Sequence, residues 1–178
     1  MKKLFMILLL ALILCFMVSC QDKEAMAELE ELKAQAALEE ENKTLITRYN
    51  EAWDKGDVEA LKEIFSPDNV WHTISGQDIS LEEMLESLKQ RMQMFPDRTN
   101  SIEDTILEGD KVVTRYIFRG THTGDTEDFP ATGNKVEFEA IEIVRVENGK
   151  IVECWDVSDD LSAYQQLGFE LKKKEEEK

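Results

Sequence analysis

The chain has 178 residues, with 21 Lys and Arg against 38 Asp and Glu, for a formal charge of −17 at pH 7. A surface this acidic repels phosphate backbones and anionic headgroups, so nucleic acid is excluded as a partner and any membrane contact must come from a separate anchor. The chain carries no zinc knuckle, Gly-rich phosphate loop or nucleophile elbow, and its two histidines have no ligand spacing; neither a metal nor a cofactor is expected.

The N-terminus opens with Lys2 and Lys3, runs through an almost unbroken apolar stretch from Leu4 to Val18, and closes on Ser19-Cys20. That order reads as a secretory signal peptide over residues 1–19, short for a spanning helix. Met17-Val18-Ser19-Cys20 resembles a lipoprotein box except at its first position. The resemblance implies cleavage before Cys20, with acylation of its thiol and new amino group. An uncleaved anchor helix is the other reading, and both place the rest of the chain outside the cytoplasm on a membrane surface. Loss of the signal removes Lys2 and Lys3 and no acids, moving the charge from −17 to −19. Only Cys154 of the three cysteines then remains as a free thiol, so the mature chain has no internal disulfide.

Residues 20–41 are rich in Ala, Glu, Lys and Leu, with no Gly or Pro, and read as a helical, solvated tether. From Asn42 to Gly168 the pattern is that of one domain with one core. Leu45, Ile46, Tyr49, Ala52 and Trp53 make a helical stripe that Gly56 stops. Asp57 caps a short helix with Val58, Leu61, Ile64 and Phe65 inward, ended by Pro67, and Val70 to Ile74 is a short strand. Ser80 and Glu83 form a capping box for a third helix that Pro96 closes. The period then drops to two. Strands are predicted over Ser101–Leu107, Lys111–His122, Lys135–Val146 and Lys150–Val157, with Asn148-Gly149 as a tight hairpin turn. A short helix from Asp159 or Asp160 to Leu167 follows, with Asp160 as its cap, and residues 169–178 read as a charged, disordered tail. Helices followed by a meander make an α+β fold, with N-terminal helices packed on a strongly curved antiparallel sheet that encloses a pocket.

Several short motifs fall in a recognisable series. Tyr49-Asn-Glu-Ala-Trp-Asp-Lys-Gly-Asp57 and Phe65-Ser-Pro-Asp68 precede His72, and Gly109-Asp-Lys-Val-Val113 precedes Gly120-Thr-His-Thr-Gly124. Pro130-Ala-Thr-Gly133, Gly149-Lys-Ile-Val-Glu-Cys-Trp-Asp156 and Gln165-Gln-Leu-Gly168 complete it. This order resembles the SnoaL-like ester cyclases, a branch of the nuclear-transport-factor-like cone fold, over nearly all of Asn42–Gly168. The resemblance implies polyketide-cyclase chemistry: ring closure by intramolecular aldol condensation, with one aspartate as general acid/base and no metal or cofactor. That aspartate follows the Gly-Lys-Ile turn at the distance of Asp156. Glu142 and His122 stand where cyclases also place polar pocket groups, although glutamate replaces a histidine at that position in at least one member.

If Asp156 faces the pocket, alternation brings Val152 and Cys154 inward with it, beside Phe138, Ala140, Glu142 and Val144 and then Val112, Tyr116, Phe118 and His122. An apolar wall with a few ionisable groups suits a small hydrophobic, carbonyl-bearing ligand. Asp156 is the candidate base, its pKa raised by burial and by Glu142, and His122 or His72 is the candidate donor to a developing enolate. Asp159 is a second candidate acid. Trp53 and Trp71 are candidate pocket walls or core residues, and Cys154 reads as core. The other class of function is a non-catalytic domain that holds a small ligand or a partner at the cell surface. By the same alternation Ile151, Glu153 and Trp155 face outward, with Ile141, Ile143, Val113 and Ile117, rimmed by Arg115, Arg119, Glu137, Glu139 and Arg145. That apolar face predicts a two-fold homodimer with Trp155 near its centre, unless the C-terminal helix folds over it through Leu161, Tyr164 and Leu167.

Overall fold

A computed structural model describes residues 2–126, 130–170 and 172, with side chains from Lys23 onward. The chain divides into two units, Met1–Glu40 and Glu41–Lys178. The first is helical over its described backbone, and every side chain from Lys23 to Leu38 is exposed. The signal segment's side chains, Cys20 among them, and most of the charged tail lie outside the described residues. Among the described residues no helix is long and apolar enough to cross a membrane.

The second unit begins within α1 (Lys2–Lys55), whose Leu45, Ile46, Tyr49 and Ala52 are buried, as the stripe predicts. Asp57 caps α2 (Val58–Ile64) by accepting from the Ala60 N–H. β1 (Phe65–His72) follows directly, and β2 (Asp78–Ser80) leads into α3 (Leu81–Met94), where the Ser80–Glu83 capping box forms in both directions. The meander is β3 (Thr99–Glu108), β4 (Lys111–Thr121), β5 (Lys135–Glu147) and β6 (Lys150–Ser158), and α4 (Asp160–Gln166) closes the unit. Asn148 and Gly149 both adopt positive φ, 52° and 71°, the pair a two-residue hairpin between twisted strands requires.

The six strands run in the order β2-β1-β6-β5-β4-β3. The meander is antiparallel, as predicted, but β1 lies parallel to β6, so the sheet is mixed. β1 also starts five residues before the predicted strand, and Pro67 does not end α2. It falls between Phe65↔Ile151 and Val70↔Glu153, where the register shifts and the missing N–H costs no ladder bond.

A second shift changes which side chains are inside. On β5–β6 the pairing passes from Arg145↔Glu153 to Val146↔Ile151, leaving Val152 as an extra residue. A bulge of this kind reverses the alternation beyond it. Ile151 and Cys154 are therefore both fully buried, and Ile151 is not on the outer face. The main core packs these two against Tyr49, Leu61, Ile64, Phe65, Leu85 and Leu88, and a second cluster joins Phe95, Phe118, Val136 and Leu167. Leu167 belongs to that inner cluster, and with Tyr164 it lines a cavity walled by Phe118 and Phe138. The C-terminal helix thus does not fold over the sheet's outer face through these residues.

Candidate active site

Glu142 and Asp156 are direct partners on adjacent antiparallel strands, so their side chains leave the same inner face a few ångströms apart. Tyr116 on β4 shares that face. Opposite them α1 contributes Tyr49 and Trp53, β1 contributes Trp71, and α3 contributes Leu88 and Arg91. Together these residues line a cavity of about 270 Å³.

Each carboxylate has one oxygen fixed by a donor that carries no charge. The Tyr49 hydroxyl donates to Glu142 Oε1 at 2.7 Å, and the Trp71 indole N–H donates to Asp156 Oδ1 at 2.5 Å. Trp71 is held in turn by stacking on Trp53, with ring centroids 5.7 Å apart, and Trp53 meets Tyr49 at 5.8 Å. Among the described residues neither acid has an ion-pair partner. Burial therefore decides Glu142: at 6% exposure its pKa is pushed up to about 7. The negative charge of Asp156 adds to the rise, while the Tyr49 bond and Arg91 oppose it. Burial, and then the charge of Glu142, also pushes the Tyr49 and Tyr116 phenols upward, so both stay protonated as donors. The Cys154 thiol is pushed up by burial as well, which makes it a packing group and not a nucleophile.

Asp156, Glu142, Trp53, Trp71 and Tyr116 are thus brought to one cavity. The other candidates are elsewhere. His72 alternates with the inward Trp71 and lies on the opposite face, stacked on Trp155 at 4.8 Å with Nδ1 2.8 Å from Asp78 Oδ1. It cannot donate into the pocket. His122 lies six residues beyond Tyr116 along the strand direction, roughly 20 Å away. It is fully buried against Phe95, with Nδ1 3.2 Å from the Thr132 hydroxyl, and it does not line the acid cavity. Phe118 and Phe138 stack at 4.8 Å and line the second cavity, of about 720 Å³, with Phe95 and Leu167. The two terminal aspartates exchange roles: Asp159 is the α4 cap, accepting from the Ser162 N–H, and Asp160 lines both cavities.

Tyr49, Arg91 and Asp160 also line this pocket, and none of them was singled out from the sequence as a site residue. Tyr49 carried a signal, since a phenol in a buried helical stripe needs a buried acceptor. Arg91 carried none. Among the described residues no group of three His, Cys, Asp or Glu side chains is placed to hold a metal ion.

This arrangement has relatives. The family model described as SnoaL-like polyketide cyclase matches residues 43–167. The chain belongs to that family. IdmH from Streptomyces antibioticus is similar at 33% identity, with 71% of this chain and 98% of that one covered and a TM-score of 0.64. TsrD from Streptomyces laurentii is similar at 26% identity, covering 72% and 95%, with a TM-score of 0.64. A SnoaL-like polyketide cyclase from Agrobacterium tumefaciens, at 20% identity, 70% and 95% coverage and a TM-score of 0.59, shares the fold. No curated protein matches the chain. In this SnoaL-like domain the acid pair lies on the two central strands of the sheet, β5 and β6, and the aromatic pair Phe118–Phe138 lies farther along the same face.

Proposed function

We propose that the domain is a cofactor-independent cyclase or isomerase for a hydrophobic, carbonyl-bearing small molecule, with Asp156 as the base and Glu142 as its acid partner. The observation that carries this reading is the cross-strand acid pair itself: two carboxyls side by side, oriented by neutral donors, one of them near half-protonation at neutral pH. Such a site offers a base and an acid together. In a ring closure, Asp156 takes a proton from the carbon beside a carbonyl, and the enolate carbon bonds to a second carbonyl carbon of the same molecule. The π pair of that carbonyl moves to its oxygen, which takes the proton of the Glu142 carboxylic acid. Asp156 is then protonated and Glu142 ionised, and transfer of one proton between the neighbours restores the starting state. In an isomerisation Asp156 returns its proton to a different carbon. The Tyr116 phenol is a donor available to the enolate oxygen.

Proton exchange in ²H₂O at the carbon beside an aryl ketone, followed by NMR, tests this directly. The wild type should exchange well above buffer, and Asp156→Asn should not. Exchange at the buffer rate in the wild type would reduce the domain to a binding module.

The anchor and the assembly belong to the same proposal. Acylation at Cys20 would hold the domain at the cell envelope, and Cys20→Ser should abolish labelling by a palmitate analogue. A two-fold dimer would cover Ile141 and Val157, both exposed, beside the half-buried Trp155. Sedimentation of the wild type against Trp155→Glu checks it, with a monomer expected only for the variant.

A further inference from the structure

The acid cavity and the aromatic cavity share three lining residues, and these define a junction. Ser87 and Arg91 stand one turn apart on α3, and Asp160 stands at the start of α4. On one side of the junction are the two carboxyls. On the other are the stacked rings of Phe118 and Phe138. Between them is a guanidinium.

Arg91 is unusual in its company. Acids outnumber bases 38 to 21 in this chain. On the sheet's outer face Arg115 is neutralised by Glu139 at 2.7 Å and Arg119 by Glu137 at 2.6 Å. Arg98, the cation whose charge interacts with that of Arg91, is spent on the Trp53 carbonyl and the Met92 sulfur. Arg91 has no ion-pair partner among the described residues. Asp160, at the same junction, accepts instead from the Ser158 hydroxyl at 2.6 Å. The charge of Arg91 nevertheless reaches inward, where it opposes the effect of burial on both Glu142 and Tyr116.

A carboxylate approaching the acid pair in a chain of charge −17 would be repelled unless a cation received it. The planar fork of arginine matches a carboxylate with two parallel bonds. We propose that Arg91 receives a carboxylate of the ligand, so that the natural ligand is an aromatic or conjugated keto acid rather than its ester. Its ring system lies against Phe118 and Phe138, its carboxylate meets Arg91 at the junction, and its ketone reaches the Glu142–Asp156 pair. The inference rests on the acid/base reading for the direction of the ketone, and on the junction alone for the carboxylate.

2-(2-Naphthyl)-4-oxopentanoate, whose carboxylate stands between its ring and its ketone, and its methyl ester make a matched pair of probes, titrated calorimetrically into the full chain held in detergent. The wild type should bind the acid at least about 10-fold more tightly than the ester, the scale of one charge-assisted contact. Arg91→Gln should erase that preference by weakening the acid alone, and Arg91→Lys should restore part of it. Equal binding of acid and ester, binding of neither, or a preference that survives Arg91→Gln would overturn the assignment. The acetyl methyl of the same probes reports proton exchange by NMR, which keeps the two proposals apart. Acid-selective binding without exchange retains Arg91 and removes the acid/base reading; exchange without acid selectivity does the reverse.

Discussion

Strands β4–β6 carry carboxylates on both faces, and the two faces treat them oppositely. Outside, Glu139 pairs with Arg115 at 2.7 Å, Glu137 with Arg119 at 2.6 Å, and Glu153 with Arg145 at 2.5 Å, all with water at hand. Inside, Glu142 and Asp156 are oriented by a phenol and an indole, with no cation in contact among the described residues. An exposed pair is screened and nearly neutral in its effect on stability. A buried acid without a cation must hold its proton or find a use for its charge. On the proposed reading, chemistry belongs to the face where charge is held by burial and hydrogen bonds, and the other face holds its charges neutralised in water.

The largest effect should follow from removing the inner charge. Asp156→Asn keeps the shape and can still accept from the Trp71 indole, yet it has no base to offer. Catalysed exchange or ring closure should fall by ~10²–10⁴-fold, measured as kcat/KM, while the melting temperature holds. An equal loss in Asp159→Asn would move the base to the α4 cap and dissolve the contrast between faces.

The next effect tests where the faces divide. Ile151→Ala should cost about 2–5 kcal/mol in urea unfolding, because a fully buried side chain leaves a cavity. Val152→Ala, at the bulge, should cost less than half as much. Similar costs would mean that no bulge reverses the alternation there.

That bulge also marks how far the sequence could be read. The helices of the domain, the four meander strands, the capping box and the Asn-Gly hairpin follow from local patterns, and parity placed Glu142, Asp156 and Tyr116 together because no irregularity separates them on β4–β6. Ile151 was misplaced because the extra residue is a valine, with no Gly or Pro to signal a break. His72 and Trp71 were both read as pocket groups, although neighbours on a strand cannot share a face. His122 has the right parity and the wrong distance, which alternation does not encode. Arg91 was invisible for another reason: a polar residue on an amphipathic helix looks like any solvated position until a second element is packed beside it.

The pH dependence follows from Glu142 and is of similar or smaller size. Its folded pKa of about 7 lies above the ordinary glutamate value of 4.5, so between these limits the folded state holds a proton that the unfolded state releases. Stability associated with this group is therefore full below about pH 4.5, declines as pH rises through the window, and levels above about 7. The total change should be roughly 3 kcal/mol. Subtracting the unfolding free energies of Glu142→Gln from those of the wild type, across pH 4 to 8, isolates it from the other acids. A difference that stays flat would show that Glu142 is solvated like its counterparts outside.

The smallest effect belongs to the outer face. Arg115 pairs with Ile141 and Glu139 with Ile117, so the two are diagonal neighbours on the outer face of β4 and β5, and their side chains are 41% and 61% exposed. A contact of 2.7 Å is good geometry, but both ions keep much of their water and two long side chains must be held still to make it. A double-mutant cycle of Arg115→Gln and Glu139→Gln should therefore give a coupling of about 0.2–1 kcal/mol, and 1 M salt should reduce it. Catalysed exchange should be unchanged in all three variants, since neither residue lines either of the two inner cavities. A coupling above about 2 kcal/mol would exceed what an exposed pair supplies. Water would then have to be excluded from that face, as it is when a second copy covers it, and the contrast between the two faces would hold only for the isolated protomer.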